Sequence, residues 1–269
     1  MIARRSQASG ARLEPLLAAA QRRVAQLRET TDTAALLESG ARFHRRSLVH
    51  ALRRNPPAII AEVKKASPSK GLFRDDFDPV HLARLYTEGQ AAAISVVTEP
   101  EFFQGDLRWI AAIRAASDLP VLRKDFIVDP IQIAESAACG ADAVLLIARI
   151  LTPALLRELA KAAANAGLEV LFEAHDEGDF RAIAPLTPSL VGINARNLDD
   201  FTVDRGAFAR LREGIPPAAV AVAESGIDAP TQIRELSQAG YGAFLIGEAL
   251  ITSKDPAATL RAFRGDAHA

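Results

Sequence analysis

From residue 58 onward, short apolar runs alternate with longer stretches whose apolar residues return at helical spacing, a pattern that predicts parallel strands joined by crossover helices. Eight runs have strand character: Ala58 to Glu62, Ala92 to Thr98, Pro120 to Lys124, Ala143 to Ile147, Leu168 to Glu173, Leu190 to Asn194, Ala219 to Glu224 and Ala243 to Gly247. Helix starts are marked by a capping side chain before proline at Asp78-Pro79, Asp129-Pro130 and Thr152-Pro153, and Gly140, Gly167 and Gly240 stand where helices should stop. Eight strand-helix units predict an α/β fold, a TIM (β/α)8 barrel. An open doubly wound sheet has the same alternation, but no Gly-x-Gly-x-x-Gly loop follows the first strand, which counts against the dinucleotide-binding version. Residues 1–57 stand outside this beat. Leu16, Leu17, Ala20, Val24 and Leu27 predict a helix over Leu13 to Thr30, and Ser47 to Arg54 predicts a second, shorter one. The expected organisation is a single domain over 1–269, with a helical extension (1–57) packed on a barrel (58–269).

Composition narrows the function classes. With 269 residues, 49% of them apolar, the chain can bury a substantial single core. Its 32 basic and 33 acidic residues give no overall electrostatic reason to bind nucleic acid or a membrane. The one cysteine, Cys139, excludes an intrachain disulfide and a cysteine metal cluster, and the five histidines lack metal-ligand spacing. No apolar run approaches the roughly 18 residues of a membrane span. The first dozen residues, rich in Arg and Ser and free of acid, read as a short disordered tail. The expected location is cytoplasmic.

The chemistry gathers at the strand ends. In a barrel these face one mouth, so polar residues far apart in sequence converge there. Here the ends carry Glu62 and Lys64, Thr98 and Glu99, Lys124, Glu173, Asn194 and Arg196, Glu224 and Ser225, and Gly247 and Glu248; only the fourth stays apolar. A helix-starting loop attracts acids for reasons of its own, yet seven of eight ends carry such groups. Lys124, held among carboxylates such as Glu62 and Glu173, would stay protonated and act as a general acid, although a structural ion pair would look the same. Gly226 and Gly247 place backbone N–H groups where a phosphate could approach at strands seven and eight. His175, beside Asp176, reads as a loop residue at a helix start.

The string Glu62-Val63-Lys64-Lys65-Ala66-Ser67-Pro68-Ser69-Lys70-Gly71 resembles the signature of the indole-3-glycerol phosphate synthases. So do Phe102-Phe103-Gln104-Gly105, Lys124-Asp125-Phe126-Ile127, Gly192-Ile193-Asn194-Ala195-Arg196-Asn197-Leu198, Ala223-Glu224-Ser225-Gly226-Ile227 and Leu245-Ile246-Gly247-Glu248, all in order. Ala195, Asn197, Phe172 and Ala174 depart from the commoner family choices. The resemblance implies closure of an indole ring with loss of carbon dioxide and water from a phosphorylated small molecule, with no cofactor. It assigns the closure acid to Lys124, the dehydration to Glu62 and Lys64, and support to Glu173, Asn194 and Ser225. Phe103, Phe126, Leu145 and Leu198 would form an apolar slot for the benzoate ring, and Arg196 would meet a carboxylate or help close the mouth. Glu224 falls among the substrate contacts, and Gly226, Gly247 and Glu248 would offer N–H groups to the phosphate with Lys64 or Ser67. The rival readings are another phosphate-binding barrel isomerase and a non-catalytic metabolite-binding barrel. An isomerase resembling phosphoribosylanthranilate isomerase would need cysteine where this chain has Glu62.

Overall fold

The computed structural model describes residues 12–265. At its centre eight parallel strands close into a barrel: Ala58–Val63, Ala93–Val97, Val121–Lys124, Ala143–Ile147, Glu169–Ala174, Leu190–Asn194, Val220–Glu224 and Ala243–Ile246. The first strand pairs with both the second and the eighth, Ile60 beside Ala93 and Ala61 beside Ile246, so the sheet has no edge and the doubly wound alternative is excluded. Every predicted strand end lies within one residue of the observed one. These strands are buried on both faces, inside against one another and outside against helices, which is why they read as continuous apolar runs.

Helix boundaries follow local chemistry. Asp78 accepts the N–H groups of Val80 and His81, Asp129 that of Ile131, and Thr152 that of Leu155, so the helices Pro79–Glu88, Pro130–Ala138 and Pro153–Asn165 begin at the capped prolines. Beyond helix ends, Gly140 and Gly240 take φ of +88° and +90°, a left-handed backbone that side chains resist.

The extension contains three helices, α1 (Leu13–Thr30), α2 (Thr33–Gly40) and α3 (Leu48–Arg54). The sequence reading lacks α2. Capped by Asp32, this helix lies on Pro130–Ala138 so closely that a Cβ on Gly40 would come within 2.8 Å of Ala137. Helix α1 lies toward the carboxyl ends of the strands, where Arg23 grips Asp125 through two hydrogen bonds of 3.1 and 2.9 Å and Arg28 pairs with Asp129. Helix α3 closes the opposite end. Its Leu48 and Leu52 join the barrel core, while Glu169 at the start of the fifth strand accepts hydrogen bonds from the Ser47 hydroxyl (2.7 Å) and the Val49 N–H (2.8 Å). The extension therefore straps the barrel from mouth to floor. The predicted tail falls, over residues 1–11, outside the described residues.

Candidate active site

Residues two apart on a strand share a face, so the inward phase of each strand delivers one side chain to the mouth. Glu62, Val97, Lys124, Leu145, Glu173, Asn194 and Leu245 stand in that phase and line a cavity of about 880 Å³ at the carboxyl ends. All but one of the sixteen residues singled out from sequence line it. The exception, Glu224, lies beneath.

Lys124 is the hub. Its Nζ is 3.2 Å from Glu224 Oε2, 3.8 Å from Glu62 Oε2 and 3.9 Å from Glu173 Oε2. Burial disfavours the ammonium, but the three carboxylates outweigh it and raise its pKa well above the lysine norm. Glu62 is also buried, which pushes its carboxyl up; Lys64, whose Nζ donates to Oε1 at 2.5 Å, and Lys124 reverse this and hold it below the usual value. Glu173 and Glu224 lie deeper and titrate as a pair. Burial pushes both up against the pull of Lys124, Glu224 to about 7. The site thus contains an ammonium locked in its charged form, a carboxylate locked in its charged form, and a carboxyl pair able to keep a proton near neutrality.

Glu224 is corrected by this geometry. It has no exposed surface and does not line the cavity; it is the carboxylate nearest Lys124. It ends the seventh strand as the sequence predicts, on the same face as Val220 and Val222. Two glycines make room for these acids. A Cβ on Gly192 would stand 2.0 Å from Glu224 Oε1, and one on Gly247 would stand 2.3 Å from Glu62 Oε1. Gly247, read as a phosphate cradle, is therefore also the space that Glu62 occupies.

The other residues fall into place around this hub. The Asn194 side-chain oxygen takes the Arg196 N–H at 3.0 Å, and its amide engages the Glu173 carboxyl. The rings of Phe103 and Phe126 face one another with centroids 6.4 Å apart and, with Leu145 and Leu198, make an apolar wall. The loop carrying Phe103 is held by Glu99, which accepts the N–H groups of Glu101, Phe102 and Phe103. Arg196 reaches the cavity with Nη1 donating to the Phe201 carbonyl at 3.0 Å. Ser225 and Gly226 both have positive φ, +66° and +73°, in a tight turn directly after the seventh strand. Ser67 belongs to a small hairpin, Ala66–Ser67 with Gly71–Leu72, which hangs over the mouth where Lys70 ion-pairs with Glu248.

Several participants escaped the sequence reading. Phe73, beyond the hairpin, puts its ring 5.4 Å from Lys64 Nζ, and Arg205 brackets Gly226 by donating to its carbonyl at 2.7 Å. The backbone of His175 lies at the predicted bend before Glu177–Ile183, but its imidazole is only 3% exposed and faces Glu173. That burial has no sequence signal in a polar stretch such as His175-Asp176-Glu177.

The sequence matches the indole-3-glycerol phosphate synthase family over residues 13–263. An indole-3-glycerol phosphate synthase from Campylobacter concisus is 47% identical over 207 residues, covering 77% of this chain and 79% of the relative. One from Geobacillus thermodenitrificans is 45% identical over 235 residues, covering 86% and 91%. Among solved structures, a mutant tryptophan synthase α-subunit from Pyrococcus furiosus superposes with a TM-score of 0.60 at 15% identity, covering 78% of this chain and 99% of that one; this likeness is one of fold.

Proposed function

Because the chain belongs to the indole-3-glycerol phosphate synthase family, we propose how its pocket divides the proton transfers. The reaction itself is ring closure, decarboxylation and dehydration of 1-(2-carboxyphenylamino)-1-deoxyribulose 5-phosphate to indole-3-glycerol phosphate, a step of tryptophan biosynthesis. In the first step the ring carbon bearing the carboxylate attacks the ketone carbon. Lys124 gives its proton to the ketone oxygen as that oxygen becomes a hydroxyl. The bond to the carboxylate then breaks, carbon dioxide leaves, and the electron pair restores the aromatic ring. In the last step the new hydroxyl departs as water with a proton from Lys64, while Glu62 removes the remaining proton. The 2.5 Å contact between Glu62 and Lys64 lets that proton return, resetting the pair. Glu173 and Glu224 hold Lys124 in its charged form, and the proton this pair can keep near neutrality replaces the one lost to the departing water, the pair being refilled from solvent.

The carrying observation is the ring of three carboxylates within 3.9 Å of Lys124 Nζ. They keep the ammonium charged and fix its direction, so it meets a carbonyl as a preorganised acid. The apolar wall of Phe103, Phe126, Leu145 and Leu198 suits the benzoate ring, with Arg196 for its carboxylate. The N–H groups around Gly226 and Gly247, with Glu248, Ser225 and Ser67 near them, suit the phosphate. The test is single-turnover formation of the ultraviolet-absorbing indole by Lys124→Ala and Lys124→Arg. Both are expected to fold and to bind substrate, and neither to close the ring, because guanidinium releases a proton far less readily than ammonium. Near-native turnover by either folded variant would refute the assignment.

A further inference from the structure

Behind Glu173, outside the cavity, lies a buried imidazole that the proton transfers above do not use. His175 Nε2 stands 3.3 Å from Glu173 Oε1, while Glu173 Oε2 points the other way, 3.9 Å from Lys124. Neither Nε2 nor Oε1 has another hydrogen-bond partner among the described residues, and both are buried. A buried acceptor with no donor and a buried donor with no acceptor are each costly, and here the two face one another. A small rotation of the ring makes them one hydrogen bond. The other nitrogen, Nδ1, is 3.8 Å from Asp179 Oδ2, which already accepts the His175 backbone N–H at 2.8 Å.

We propose that His175 is a positioning residue for Glu173, its Nε2–H anchoring Oε1 so that Oε2 is aimed at Lys124. The inference rests on the role given above to Glu173. The charged and titratable groups around the ring are Glu173 and Glu224 on their strands, Asp176 capping the following helix and Asp179 in its first turn, and Arg149 after the fourth strand. Burial is the main influence and pushes the imidazole down to about 4 against the pull of Asp179. At neutral pH the ring is therefore uncharged with a single N–H, and the 3.3 Å and 3.8 Å separations favour placing it on Nε2. A neutral donor suits the task. It fixes the carboxyl without drawing the ion pair away from Lys124, as an imidazolium would.

The role separates from mere packing by variants that differ in reach. The amide of His175→Gln can occupy the Nε2 position; that of His175→Asn stops near Nδ1, and His175→Leu has no donor. Steady-state kinetics on all three, with urea midpoints to follow folding, are compared with Glu173→Gln and with the double variant Glu173→Gln/His175→Leu. Asn and Leu should lower kcat about tenfold, the worth of a hydrogen bond to a charged group, with KM within about twofold. Gln should restore kcat to within about threefold of the native rate, and Leu should cause no further loss in the Glu173→Gln background. If Leu fails to fold, Asn carries the comparison. Folded Asn and Leu variants with native kcat, or a Gln variant as slow as Leu, would overturn the proposal while leaving Glu173 in its role. A native closure rate in Glu173→Gln would instead remove that role, and this inference with it.

Discussion

Two glycines and a histidine show how much of this site is decided by single side chains. Gly247 was expected to matter through its N–H, yet the space above its Cα holds Glu62 Oε1. Alanine keeps the N–H and takes the space. Gly247→Ala should therefore lower kcat by roughly 10²-fold, as expected when a catalytic group is displaced by about 1 Å, with a smaller effect on KM. Steady-state kinetics check this; a rise in KM at native kcat would return Gly247 to the phosphate alone. Gly192→Ala should act likewise through Glu224, whose Oε1 a Cβ would approach to 2.0 Å. His175 gives a pH prediction. Burial lowers its pKa to about 4 in the folded state against 6.5 for an unperturbed imidazole, so between these values the unfolded chain binds the extra proton. Its contribution is nil above pH 6.5 and increasingly destabilising as pH falls toward 4. Between pH 7.5 and pH 5 the native protein should lose about 2 kcal/mol more stability than His175→Gln. Equal losses in urea titrations at the two pH values would contradict the burial argument. The raised pair Glu173 and Glu224 has the opposite sign, favouring the fold at lower pH, but is common to both proteins.

At the scale of elements, legibility follows burial and length. The eight strands were readable because strands covered on both faces must be continuously apolar, and Lys124, Asn194 and Glu224 close the third, sixth and seventh of them. Helices announced by Asp78-Pro79, Asp129-Pro130 and Thr152-Pro153 were readable because one side chain and one ring fix a helix start. Helix α2 was not, since eight residues hold barely two turns and the apolar period scarcely repeats. Nor could a linear pattern tell that Glu224 passes under Lys124, because that contact joins residues a hundred positions apart. The docking of α1 has a comparable long-range origin. Arg23 meets Asp125, which follows Lys124 directly and is also held by buried Arg123 and by Thr98. Arg23→Met should keep α1 helical but loosen its attachment, lowering stability by about 1–3 kcal/mol. Faster hydrogen exchange in α1 than in the barrel strands would accompany it. Unchanged exchange and an unchanged urea midpoint would mean that apolar contacts alone hold the helix.

For the molecule as a whole, the closed barrel turns positions scattered from residue 62 to residue 248 into one cavity with an apolar wall, a glycine-lined end and two acid-base sets. In the proposed division, Lys124 with its carboxylate ring serves closure and the Glu62–Lys64 pair serves dehydration. The two sets are not insulated, since Glu62 Oε2 is also 3.8 Å from Lys124. The division between them is the central claim, and Glu62→Gln tests it most directly: it keeps the shape of the side chain and removes the base. Rapid-quench analysis of this variant should follow carbon dioxide release and indole formation from the same samples. The account predicts that carbon dioxide appears first and a cyclised, undehydrated intermediate accumulates, whereas Glu173→Gln slows both signals together. Carbon dioxide and indole appearing in step in Glu62→Gln would contradict it.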